Sequence, residues 1–215
     1  MSDILCIYYS RTGHTRRAME EVADALGAEV TAITDDRDRN GWRGYIRCGM
    51  DAMKTSTRPL LPFQTEKPLN EYRLVIIGSP VWAGRCASPV RALLKRRGLE
   101  MKNVAYLVTR STSQRSEEVY DQMDMYVKDA HRMAVSLRPG SEGYEFWRND
   151  FVQNVPIRWL VFQDTHRLVH SVDQQPGFHN CPKAILHFCV FHTHFNIQAI
   201  NQSIQIRQRY VQFLL

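Results

Sequence analysis

Uncharged apolar runs alternate with charge-bearing amphipathic stretches along the first 158 residues. Ile4-Leu5-Cys6-Ile7-Tyr8-Tyr9 carries no charge and reads as a strand buried on both faces, as strands inside parallel sheets are. The stretch from Arg16 to Leu26 reads as a helix. Extended along the chain, the pattern predicts strands at about 4–9, 28–33, 73–78, 103–109 and 131–137. Helices are predicted at about 14–26, 87–97, 116–128 and 143–155. Asp35 to Tyr72 is a longer interruption, holding a helix candidate from Trp42 to Lys54 and then a loop with Pro59, Pro62 and Pro68. Five strands joined by helical crossovers form a parallel sheet with helices on both faces, because each crossover is right-handed and long enough to return the chain. The expected fold class is therefore α/β, a three-layer doubly wound domain complete by about residue 158.

Beyond Arg158 the pattern changes. Residues 159–215 hold four basic and two acidic side chains, no Glu, eight glutamines and six of the eight histidines. Their apolar residues follow neither a period of two nor one of 3.6 over any length. Two parts are expected: a domain over 1–158 and an atypical, weakly ordered tail over 159–215. His187, Cys189, His192 and His194 stand at intervals that suit zinc, but a ligand set needs a fixed backbone, so no metal is assigned.

Composition narrows the function classes. The chain has a formal charge of +6, yet its basic residues are interleaved with acids, as in Arg110 to Glu118. That describes a solvated surface rather than a nucleic-acid-binding face. No apolar run approaches the roughly 20 residues of a membrane span, and Met-Ser-Asp lacks the layout of a secretory signal, so a cytoplasmic location is expected. Cys6, Cys48, Cys86, Cys181 and Cys189 form no close pair and are expected as reduced thiols.

In doubly wound sheets a ligand sits beyond the carboxyl ends of the strands, where the winding reverses, so the loops after the first, third and fourth strands matter most. The first is Ser10-Arg11-Thr12-Gly13-His14-Thr15. Its amides precede a helix N-terminus, which favours an anion, and its hydroxyls add neutral donors. The Gly-Lys-Ser/Thr ending of a nucleotide-triphosphate loop is absent, as is the three-glycine dinucleotide fingerprint. A phosphomonoester fits, and so does a plain turn with Thr12 or His14 at a helix cap. After the third strand comes Gly78-Ser79-Pro80-Val81-Trp82-Ala83-Gly84, where Trp82 offers a flat face to a planar ring or simply packs.

Two stretches, "ILCIYYSRTGHT" and "LVIIGSPVWAG", carry a resemblance. Residues 4 to about 155 resemble a flavodoxin-family domain, the first stretch matching the family's opening strand and phosphate loop, the second its flavin-ring loop. The resemblance implies a five-stranded sheet in the order 2-1-3-4-5 and FMN held without a covalent bond. It further implies that Ser10, Arg11, Thr12, Gly13, His14 and Thr15 surround the phosphate. Ser79, Pro80, Val81, Trp82, Ala83 and Gly84 would border the isoalloxazine, with Thr109, Arg110 and Ser111 opening the third loop. That third loop departs from the family in having no aromatic residue between Leu107 and Glu118. Trp42 or Tyr45 of the 41–54 insert is a candidate cover for the open flavin face; the plainer reading has both packing the insert against the core. Cys86, just past the ring loop, reads as a small packing residue rather than a reactive thiol.

The flavin would carry the redox chemistry, so no catalytic side chain is nominated. Three functions follow. The first is electron transfer between redox partner proteins, a reductase and an acceptor. The second is an NAD(P)H-dependent quinone or flavin reductase, and the third an interaction module without flavin. "SRTGHT" is of the flavodoxin type, not the Arg-x-x-Ser type usual in reductases of the superfamily, and this favours the carrier.

Overall fold

The computed structural model describes residues 2–155. Strand β1 (Ile4–Tyr8) leads through a loop into helix α1 (His14–Leu26), then β2 (Glu29–Ala32) and the insert helix α2 (Gly41–Met53). Then come β3 (Leu74–Trp82), β4 (Arg85–Cys86), α3 (Ser88–Arg97), β5 (Val104–Thr109), α4 (Glu118–Asp124) and β6 (Met133–Leu137). A last helix, α5, covers residues 144–155. The predicted boundary near residue 158, the tail and its His187–His194 cluster lie outside the described residues.

Five parallel strands stand in the order β2-β1-β3-β5-β6, and the two-residue β4 pairs antiparallel with the end of β3. Without that short strand the order is the expected 2-1-3-4-5. In the register, Cys6 faces Val30 on one side and Ile76 on the other, Ile76 faces Ala105, and Ala105 faces Met133. Two predicted boundaries shift. The third strand continues four residues past Gly78 because it gains a hairpin partner in β4, and the helix expected over 116–128 is only Glu118–Asp124.

Alternate side chains feed two cores, one per sheet face, as strand pleating requires. Leu5, Ile7, Val75, Ile77, Tyr106 and Val108 pack against Val90, Leu93 and Leu94 of α3 and Val119 and Met123 of α4. Cys6, Ile76, Ala105 and Leu107 pack against Ala18, Met19, Val22 and Ala23 of α1, and against Phe151 and Val155 of α5. Each large side chain buried this way contributes roughly 1.5–3 kcal/mol. Helix α5 is also tied to α1 at Glu21, which accepts hydrogen bonds from Tyr144 Oη at 2.9 Å and Arg148 Nη1 at 2.7 Å. Arg17 bonds the same carboxylate from within α1 at 2.8 Å. Among the described residues no helix is long and apolar enough to cross a membrane.

Helix α1 lies so close to β3 that Gly78 is needed there. A Cβ at this position would stand 2.6 Å from Met19 Cγ and 2.7 Å from Tyr8 Cβ. Gly78→Ala is expected to lower stability by about 1–3 kcal/mol, since Met19 must leave its place in a close-packed core. Urea unfolding checks this; an unchanged midpoint would show that α1 yields freely.

Candidate functional site

The carboxyl ends of β1, β3 and β5 lie side by side, with Tyr8 opposite Gly78 and Pro80 opposite Thr109. Tyr9 N donates to Gly78 O at 3.1 Å, so the chain leaves the sheet only at Ser10. Ser10 Oγ then accepts from Gly13 N at 3.1 Å, and Gly13, at φ 88°, turns the chain through a left-handed conformation into α1. No side chain caps this helix and no acid lies in its first turn. Arg17 N reaches Gly13 O at 2.9 Å, while the N–H groups of Thr12, His14, Thr15 and Arg16 have no acceptor among the described residues. Helix termini leave such donors open, and clustered with the helix dipole they favour an anion. The plain capped turn allowed by the sequence is thus not what forms. Thr12 and His14 are exposed, whereas Thr15 is buried, its hydroxyl 2.7 Å from that of Thr109 at the end of β5.

The loop expected at 78–84 is a hairpin. Ala83 and Gly84, at φ 47° and 71°, form its two-residue turn, and Val81 and Trp82 pair with Cys86 and Arg85. Two positive φ angles in succession match the twist of the flanking strands, a geometry that disfavours alanine. Ala83→Gly is expected to raise stability by about 0.5 kcal/mol, the relief of strain being partly offset by a more flexible unfolded chain. A rise in the thermal midpoint checks it. Ser79 is fully buried, its hydroxyl accepting from Ala87 N at 3.0 Å and donating to Pro80 O at 3.0 Å. It fixes the hairpin and offers no surface to a ligand, in contrast to the partly exposed Pro80, Val81 and Trp82.

Trp82 is held by two neighbours. Tyr9 meets it edge-on at 5.5 Å, and the Arg39 guanidinium lies 5.2 Å from its ring centre. Arg39 is itself buried, bonded to both carboxylate oxygens of Asp35, to Asp51 Oδ2 at 2.8 Å and to Ser88 Oγ at 2.9 Å. Burial alone would weaken the protonation of Arg39; its bonds to Asp35 and Asp51 outweigh this and leave it more firmly protonated than usual. Likewise, burial would raise Asp51, but the Arg39 hydrogen bond and the charges of Arg37 and Arg39 bring it below the usual carboxylate range. Sequence reading missed this group. "DDRDRN", residues 35 to 40, has the composition of a solvated loop, and no spacing in it tells which two charges turn inward. A faint signal lay in α2, where Asp51 falls on the helical face of Gly44, Cys48 and Ala52, all buried.

The third loop starts from the buried Thr109. Arg110 then turns back on its own segment, its Nε donating to Ser136 Oγ at 2.9 Å and its Nη1 to the carbonyls of Thr112 and Ser113. Arg110 thereby ties the loop down, while Ser111 is exposed. The insert helix reaches the mouth from the other side: Arg11 Cζ lies 5.6 Å from the Tyr45 ring centre. Tyr45 and Trp42 are each 69% exposed, so neither packs the insert against the core. Cys86 does pack; burial pushes its thiol up and away from reactivity.

No protein-family model matches the chain and no curated protein matches it. Solved structures do. A candidate flavoprotein of Bacteroides eggerthii aligns at TM-score 0.55 and 18% identity over 69% of this chain and 94% of its own. One of Bacteroides uniformis aligns at TM-score 0.55 and 18% identity over 68% and 95%. A Lactobacillus acidophilus flavoprotein, in complex with FMN, aligns at TM-score 0.50 and 20% identity over 67% and 97%. The fold is flavodoxin-like. Within this flavodoxin-like domain, Ser10–Gly13, the Trp82 hairpin and the end of β5 converge on the rim where the winding reverses, the place such sheets keep for ligands.

Proposed function

We propose that the chain binds FMN without a covalent bond and passes electrons between redox partner proteins. The observation that carries this reading is the group of open N–H donors of Thr12, His14, Thr15 and Arg16 beside a partly exposed indole on the same rim. Those donors suit a phosphate dianion, and the N-terminus of α1 adds its dipole. Arg11 supplies a cation at the same loop. Trp82, backed by Arg39 and Tyr9, is a fixed wall suited to a flat ring, with the partly exposed Pro80 and Val81 beside it. When bound, the flavin supplies the electron-accepting and electron-donating chemistry, and the protein's part is to bind and orient it.

The FMN complex of the Lactobacillus protein supports the same cofactor for this fold. The test is spectroscopic. Purified chain loaded with FMN should show flavin absorption after gel filtration, and under anaerobic NADPH that absorption should persist until a reductase is added. Rapid bleaching by NADPH alone would make the chain a reductase. Chain that neither holds nor quenches FMN would be an interaction module.

A further inference from the structure

We propose that the solvent face of α2 is the docking surface for an acidic electron-transfer protein, an inference resting on the carrier function above. Trp42, Tyr45, Ile46, Met50 and Met53 are 46% to 69% exposed and recur at helical spacing, forming one apolar stripe. They are five of the ten large apolar side chains left exposed among the described residues, so exposure is concentrated on this one helix. Arg43, Arg47 and Lys54 follow the stripe along one edge at the same spacing, and Arg11, against Tyr45, borders the other. None of these four cations lies within ion-pair distance of a carboxylate among the described residues. Asp51, the acid within α2, is turned inward onto Arg37 and Arg39. The result is an apolar centre with cationic edges.

That pattern is complementary to an apolar patch ringed by carboxylates. Trp, Tyr, Met and Arg are the residue types enriched in protein–protein contacts; membrane-surface helices share the Trp and Arg but join them to Leu and Phe, which α2 lacks. A second copy of the chain is disfavoured, since a two-fold contact would set this cationic face against itself. Position supplies the purpose. Tyr45 touches the first mouth loop through Arg11, so a protein seated on α2 stands beside the rim where the cofactor is proposed to lie.

The probe is an acidic two-iron ferredoxin, titrated calorimetrically against the full chain with and without added FMN. Binding is expected at low salt, weakening steeply as salt rises. The Arg43→Glu, Arg47→Glu double variant should bind about tenfold more weakly or worse, as should Met50→Asp, with unchanged thermal midpoints because these side chains are exposed. A ferredoxin that fails to bind, or that binds the variants as well as the wild type, overturns the proposal. So does capture by phosphatidylserine vesicles in its place, or concentration-dependent self-association abolished by Met50→Asp. FMN fluorescence quenching, run separately, distinguishes the two readings. Ferredoxin binding without quenching removes the cofactor and keeps the docking surface; quenching without ferredoxin binding does the reverse.

Discussion

Asp51→Ala is expected to destabilise the domain by about 3–5 kcal/mol, lowering the thermal midpoint by roughly 10 °C or more. The side chain of Arg39 is only 4% exposed, and Asp51 supplies one of its two carboxylate partners. Removing that partner leaves a buried guanidinium with Asp35 alone to balance it, and the cost includes that uncompensated desolvation, not merely a lost hydrogen bond. The effect should reach Trp82, which Arg39 backs, and so appear as a change in tryptophan emission as well as in the midpoint. The exposed pair Arg58–Asp36, at 3.4 Å, provides the contrast: Asp36→Ala should change stability by less than about 0.5 kcal/mol. The pH dependence has a defined sign. Because the Asp51 carboxyl is held below its usual range, its stabilising contribution is complete above the unfolded pKa of about 4 and disappears as pH falls through the lower folded value. Acid unfolding of the wild type should therefore be steeper below that pH than unfolding of Asp51→Ala. Equal midpoints for the two proteins at neutral pH would show that solvent reaches Arg39.

Thr12→Glu is expected to weaken FMN binding about 100-fold, or about 2.7 kcal/mol. Thr12 is exposed and its side chain makes no hydrogen bond, so the fold should be unaffected. A carboxylate there would oppose a dianion and compete for the open donors of α1. Titration followed by flavin fluorescence measures the loss, which should shrink as salt is raised. Riboflavin, which has the ring but no phosphate, separates the two halves of the pocket: its affinity should be nearly the same for variant and wild type. A variant that binds FMN within a factor of about three of the wild type would place the phosphate elsewhere.

Sequence and structure agree where a single physical signal dominates. Uncharged runs such as Ile4–Tyr8 and Leu74–Ile77 are strands because both sheet faces are covered, and burial leaves them no polar position. The turn from Ser10 to Gly13 into α1 was legible because glycine and the helix start leave a local mark. What stayed hidden depends on contacts distant in sequence. Nothing in "GSPVWAG" discloses that Arg85 and Cys86 return to pair with Trp82 and Val81, which turns a loop into a hairpin and buries Ser79. The burial of Thr15 stays hidden until Thr109, 94 residues away, is seen to face its hydroxyl. Arg39 is hidden for the same reason, since its partners Asp35, Cys48, Asp51 and Ser88 come from the 35–40 segment, α2 and α3.

The contact between Thr15, in the first turn of the helix that follows β1, and Thr109, at the end of β5, passes from one side of β3 to the other, for β3 runs between β1 and β5. It works as a crossbar over the middle strand. The first and third loops are thereby tied to each other at their bases. For the cofactor proposed above, loops already joined would leave less motion to arrest on binding, so more of the contact energy would be retained as affinity.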